Sequence, residues 1–195
     1  MAVIISQPIQ LIVGLGNPGA KYEQTRHNAG FWFLDQWLVD SSIRLKEDKN
    51  FQGLVGRMEV ASESIWCLKP ATFMNRSGQS VRALSYFYKI PVEQILVVHD
   101  ELDLPVGVAR LKRGGGHGGH NGLRDISDHL GKDFMRLRIG IDHPGNKDQV
   151  IDYVLDKPSK QHRALIDRAI EDACAVMPMI LAGEFDRAMN QLHTK

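Results

Sequence analysis

QLIVGLGNPGAKYEQTRHNAG, residues 10–30, decides the fold class. Its opening run, QLIVG at 10–14, is short, apolar and branched, and it stops at glycine, which reads as a buried strand. A glycine-rich loop follows and closes on the pair His27-Asn28. From 28 to 39, Phe31, Leu34, Trp37 and Leu38 recur at helical spacing, so a helix comes next. The same alternation runs on downstream. ILVVH at 95–99 is a second buried strand, with Asp100 just beyond its C-terminal end. RGGGHGGHNG at 113–122 is a second glycine loop, again carrying a His-Asn pair, His120-Asn121, and it leads into a short helix at 121–130. LRIGI at 137–141 is another strand, and 106–112 a weaker one. Residues 51–58 and 64–68 form a hairpin with SES as its turn and Pro70 at its end, and 77–88 is an amphipathic helix. A long helix at 159–181, kinked near Pro178, and a short one at 184–192 close the chain. Strands alternating with helices predict an α/β fold with a largely parallel or mixed sheet. Ligands of such sheets sit beyond the C-terminal strand ends. The 14–27 loop, His99-Asp100 and the loop at His143 all follow strands, so they should gather on one rim.

The chain of 195 residues is read as one domain, 1–195, with a helical C-terminal segment at about 159–192. At 43% hydrophobic and 24% charged it is an ordinary globular composition. The net charge of +1 says little, but its distribution says more. Between 107 and 138 lie Arg110, Lys112, Arg113, Arg124, Lys132, Arg136 and Arg138 against Asp125, Asp128 and Asp133. That excess surrounds the second glycine loop, as a phosphate-binding face would. The two cysteines, Cys67 and Cys174, stand in apolar or helical runs and suggest a reduced compartment. The N-terminal stretch has no basic region ahead of its apolar residues and reads as a strand lead-in. No run approaches about 18 apolar residues, so no membrane span is expected and the protein is placed in the cytoplasm.

GLGNPG matches the dinucleotide pattern G-x-G-x-x-G, but the context is wrong. No helix starts on the last glycine, and the acids at the right distance, Asp35 and Asp40, fall in or at the end of an amphipathic helix. The phosphate-loop pattern is absent. Among eight histidines, His27 has the strongest case as a general base, with Asp100 as the carboxylate that orients it. His117, His120 and His99 lack the companion ligands that a zinc site needs. Asn17, Asn75 and Asn121 sit at loop or helix edges, where capping is the simple reading. As neutral amides they also suit a site that handles an acyl or peptide group without a competing charge. Phe73 and Met74 would supply an apolar wall. No Gly-x-Ser-x-Gly elbow is present, so activated water is easier to build here than an acyl-enzyme.

Four segments resemble the bacterial-type peptidyl-tRNA hydrolase family: LIVGLGNPGAKYEQTRHNAGFWFLD, KPATFMNRSG, ILVVHDELDLPVGVARLKRGGGHGGHNGLRDI and RLRIGIDHPG. They run in the family's order over 11–145. The resemblance implies a monomeric α/β globule with a twisted mixed sheet between helices, and no metal or organic cofactor. It implies hydrolysis of the ester joining a peptide to the 3′ ribose of tRNA, with no membrane and no obligate protein partner. By position, His27 is the implied base and Asp100 its orienting acid. Asn17 and Asn75 would hold the peptidyl part, and Asn121 would place the attacking water. Met74 would line the peptide groove, Tyr22 would stand at the mouth of the site, and His120 near the acceptor end. Lys112 and Arg138 match residues linked to tRNA phosphates. Arg113 and a slightly shortened 131–138 stretch depart from the family pattern. A non-catalytic RNA-binding protein and a cofactor-dependent α/β enzyme are the alternatives.

Overall fold

The computed structural model describes residues 7–60 and 62–194. The first six residues of the expected strand lead-in lie outside them. The elements are β1 (Leu11–Gly14), α1 (Ala29–Leu38), β2 (Lys46–Asp48), β3 (Gly53–Val60), β4 (Glu63–Pro70), α2 (Ser77–Phe87), β5 (Ile95–Glu101), β6 (Ala109–Arg113), α3 (Asn121–Leu130), β7 (Met135–Gly140), α4 (Val150–Val154), α5 (Lys160–Leu181) and α6 (Phe185–His193). One sheet joins the strands in the order β2-β3-β4-β1-β5-β7-β6. The central strands β4, β1, β5 and β7 run parallel, and β2, β3 and β6 pair antiparallel to their neighbours. This is the α/β class that the alternation predicted.

Residues on successive positions of a strand face opposite sides of the sheet, and both sides are covered here. Ile12, Cys67, Leu96, Val98, Leu137 and Ile139 pack under α1, α5 and α6. Leu11, Val13, Leu68, Ile95 and Val97 pack under α2 and α3. β1 is buried at all four positions, which is why its sequence reads as an unbroken apolar run. The glycines of the first motif serve this packing. A Cβ on Gly30, in α1, would lie 2.3 Å from both Leu15 N and Val98 O, and one on Gly14 would lie 2.4 Å from Gly30 O. Glycine at 14 and 30 lets α1 press its backbone onto β1 and β5.

Several boundaries shift from expectation. The hairpin turn is tighter than SES: Val60 pairs with Glu63, so Glu63 and Ser64 already belong to β4. β2 and α4 carried too little periodicity to be read. α5 runs unbroken through Pro178 to Leu181. The sheet's two edges differ. β2 is three charged residues long, a poor template for further pairing. β6 is covered by the end of α6: Leu111 N–H donates to His193 Nε2 at 3.0 Å, and Arg110 reaches the Leu192 carbonyl at 3.1 Å.

Candidate active site

β1 last pairs with β5 at Gly14 and Val98, then leaves the sheet as the 15–28 loop. β7 stays with β5 as far as Glu101 and Gly140. That extra pairing puts Asp100 inside β5, not beyond it. It also leaves His99 and Asp100, though buried, without a strand partner on the side that β1 has vacated. The 15–28 loop fills this crevice and ends in a turn of 3-10 helix, Arg26–Asn28, leading into α1. His27 is thereby set against Asp100.

The His27 Nδ1 lies 3.0 Å from both Asp100 carboxylate oxygens. The His120 Nε2 lies 2.9 Å from Asp100 Oδ1. His120 is the N-cap of α3, and its Nδ1 accepts from the N–H groups of Gly122 at 3.2 Å and Leu123 at 3.4 Å. An acceptor at Nδ1 places the His120 proton on Nε2, aimed at Asp100. Asp100 thus accepts from two imidazoles, and His27 keeps a free lone pair on Nε2. Burial alone would raise the Asp100 pKa, but the charge and hydrogen bonds of His27 and His120 outweigh it and hold the carboxyl well below the usual range. Burial alone would lower the His27 pKa, and Asp100 overrides it, so His27 stands above the ordinary histidine value. A buried base with a raised pKa and an ionised carboxylate behind it is built to receive a proton.

His27, Asp100 and His120 bring donor atoms within 4.8 Å of one another. Their protons oppose a cation there. His120 would have to give up the Nε2 proton, and its Nδ1 would then turn a proton against two backbone N–H groups. Neither cysteine offers a nucleophile: burial pushes both thiols up to about 12.

The asparagines do not cap helices. Asn17 is buried, and its Oδ1 accepts from Met74 N–H at 2.8 Å. Its main chain is clamped by Asn28, which accepts from Asn17 N at 2.8 Å and donates to Asn17 O at 3.0 Å. With its oxygen engaged, Asn17 presents its amide NH2 as a donor. Asn75 and Asn121 are exposed. Met74 is buried, and a Cβ on Gly122 would lie 2.6 Å from its sulfur, so Gly122 is what lets the 73–76 turn close on α3. Tyr22 packs edge-on to the exposed ring of Phe73. Asn17 and Asn28 also border a cleft of about 530 Å³ floored by Phe31, Trp32 and Leu54.

The second glycine loop behaves differently from the first. A Cβ on Gly116, Gly118 or Gly119 would touch nothing, so this loop is open to a partner. Gly118 and Gly119 also have φ of 56° and 84°, a region that favours glycine. Of the basic residues around it, Lys112, Arg124 and Lys132 are exposed. Arg138 is paired with Glu101 at 2.8 Å, and Arg136 is buried, holding the carbonyls of Gly115 and Gly116. Arg113 lies over the Phe185 ring at 5.3 Å. His143 is exposed on the same rim, and its ring bonds only locally, to Gly145 N–H. Sequence reading missed Asn28 as the clamp on Asn17 and Glu101 as the partner of Arg138. Only their places beside His27 and Asp100 hinted at them.

An α/β sheet with a carboxylate-backed histidine in the crevice at its C-terminal rim is an arrangement that can activate water, as a hydrolase requires. The family model described as "Peptidyl-tRNA hydrolase" matches residues 11–195. A peptidyl-tRNA hydrolase of Neisseria meningitidis serogroup C is 55% identical over 98% of this chain and 100% of its own. One of Methylobacillus flagellatus is 56% identical over 96% and 97%. The crystal structure of peptidyl-tRNA hydrolase from Acinetobacter baumannii superposes with a TM-score of 0.92 at 53% identity, covering 94% of each chain. The chain belongs to the peptidyl-tRNA hydrolase family.

Proposed function

We propose that this protein hydrolyses the ester between a peptide and the 3′ ribose of tRNA, freeing both for reuse. The observation that carries the chemistry is the Nδ1 contact of His27 with both oxygens of the buried, ionised Asp100. His27 Nε2 takes a proton from water, and the hydroxide so formed attacks the ester carbonyl. The Asn17 amide donates to the developing oxyanion, because its own oxygen is already taken by Met74 N–H. The imidazolium, stabilised by Asp100, returns its proton to the ribose 3′ oxygen as the ester bond breaks. The products are a tRNA 3′ hydroxyl and a peptide carboxylic acid, which releases its proton to solvent and leaves as the carboxylate.

Asn75 and Asn121 flank the site with free amides, Asn75 toward the peptide and Asn121 toward the water. A neutral amide oxygen accepts a peptide N–H, whereas an unblocked aminoacyl-tRNA presents an ammonium. Met74 and Tyr22 bound the space for the peptide. His120 has both ring nitrogens engaged, so it serves Asp100 rather than bonding substrate. Lys112, exposed beside the open glycine loop, meets tRNA phosphate, with Arg138 beside it. No metal or organic cofactor enters these steps. The protein acts as a monomer in the cytoplasm, and among the described residues no helix is long and apolar enough to cross a membrane.

The test is release of N-acetylated amino acid from N-acetyl-aminoacyl-tRNA, with unblocked aminoacyl-tRNA and the His27→Ala protein as controls. Cleavage of only the blocked substrate, lowered at least about 10²-fold by His27→Ala, is expected. Tight tRNA binding without cleavage would instead mark a non-catalytic RNA-binding protein.

A further inference from the structure

His99 adjoins Asp100 and plays no part in the steps above. It is 1% exposed and faces the opposite side of the sheet from Asp100. Its Nδ1–H donates to the Asp100 main-chain carbonyl at 2.6 Å. That bond fixes the ring proton on Nδ1 and leaves Nε2 as an acceptor. Nε2 is buried and has no partner among the described residues. Such an atom carries a desolvation cost that leucine at this position would avoid.

A matching orphan lies on the next strand. Arg136, 3% exposed, projects from β7. In the parallel register Val97 pairs with Arg136 and His99 with Arg138, so His99 and Arg136 share one face. Arg136 spends its terminal nitrogens on the Gly116 carbonyl at 2.6 Å and on the Gly115 carbonyl. Its Nε–H is buried without a partner among the described residues. One lone donor and one lone acceptor on the same face are what a single buried water joins.

Followed round, these bonds make a chain with one gap, between Arg136 and His99. Asp100 accepts from His120, which ends the glycine loop. The loop's carbonyls are held by Arg136, Arg136 faces His99, and His99 holds Asp100 from behind. We propose that His99 is a positioning residue of the reaction, fixing the Asp100 main chain and tying it, through a water shared with Arg136, to the glycine loop. The inference rests on His27 as the base that Asp100 orients. The charged or titratable groups acting on His99 are His120 ahead of α3, Asp100 on its own strand and Arg136 on β7. Burial first, then the charge of His120, push its pKa down to about 3, so the ring stays a neutral donor across the working range.

Two substitutions separate positioning from folding. His99→Asn keeps an N–H near the place of Nδ1; His99→Leu does not. The leucine protein should lose about tenfold or more in kcat, since small misplacements at a reacting centre are costly, with KM nearly unchanged. The acid limb of kcat/KM against pH should move down as His27 loses its fixed carboxylate. The asparagine protein should recover most of the rate and the limb. A lowered melting temperature with an unmoved limb, or an asparagine protein as impaired as the leucine one, overturns the proposal. A reading on the unsubstituted protein is independent of variant folding. Imidazole ¹⁵N spectra should show His99 as a neutral Nδ1–H ring while His27 titrates. A titrating His99, or a proton on its Nε2, overturns it too. Full activity of His27→Ala would sink the base assignment instead, and the His99 spectra distinguish that failure from this one.

Discussion

Asp100→Asn removes one charge and turns one acceptor into a donor at the centre of the site. Both imidazoles meet Asp100 at Oδ1, at 3.0 and 2.9 Å, and His27 also meets Oδ2 at 3.0 Å. An asparagine that keeps its oxygen at the Oδ1 place still accepts from both imidazoles but sets its NH2 against the His27 Nδ1–H where Oδ2 had accepted. That conflict favours the ring form with its proton on Nε2, and a base protonated on its reacting side accepts nothing. The second loss is electrostatic. Unit charges 4 Å apart at an effective dielectric of about 20 attract by about 4 kcal/mol. That attraction forms only as His27 becomes a cation, so its loss falls on the transition state. At 1.36 kcal/mol per tenfold, kcat drops about 10³-fold, with KM nearly unchanged. Initial rates on N-acetyl-aminoacyl-tRNA measure it, with thermal melting as the control for folding. The pH profile adds a sign. The raised His27 pKa puts the acid limb of kcat/KM above the ordinary histidine range, with activity growing as pH rises through it. Without Asp100, only burial acts on the ring, and the limb must move down. A folded Asp100→Asn protein that keeps more than about a tenth of kcat refutes this account of the base.

Lys112→Ala should raise KM and flatten its salt dependence, because a lost phosphate contact releases fewer counterions. Arg138→Ala should do the same to a smaller extent, since Glu101 already neutralises part of its charge; an equal or larger effect on kcat alone argues against both phosphate roles. Gly30→Ala should destabilise the fold by more than about 4 kcal/mol in urea unfolding, because its Cβ would meet two backbone atoms at 2.3 Å. Near-normal stability would mean that α1 has room to retreat. Asn17→Asp keeps the acceptor for Met74 N–H and removes the amide donor, so kcat should fall about 10²-fold while the fold persists; unchanged kcat removes Asn17 from oxyanion binding.

What the sequence disclosed and what it withheld divide along physical lines. Buried parallel strands announce themselves as apolar runs, so β1 and β5 were legible, and α3 was read to the residue. The pairing of His27 with Asp100 followed from placing both at the C-terminal ends of strands in one sheet, although Asp100 lies within β5 rather than after it. The role of His120 did not follow, because its dual use depends on the α3 cap meeting Asp100 across 20 residues. Gly14 and Gly30 look the same in sequence whether backbone or ligand approaches them, and the structure shows that backbone does. The basic cluster was similarly overcounted as a surface. Arg136 and Arg138 alternate with Leu137 and face a partly covered side of the sheet, so Arg136 is buried and Arg138 spends part of its charge on Glu101. Composition records a charge, and only geometry records where it is spent.

The seam between α6 and β6 has a consequence for how the chain keeps its own company. A sheet that ended at β6 would offer an unpaired row of backbone groups to the next molecule. Here Leu111 N–H is taken by His193 and Arg110 folds over the edge to the Leu192 carbonyl. The last turn of the described chain thus stands where a neighbour's strand would add. Burial and the nearby charges of Arg110 and Arg138 lower the His193 pKa, which keeps its ring an acceptor at neutral pH. α6 thus shields the β6 edge, and a chain clipped of it should keep the catalytic crevice while offering that edge to other strands.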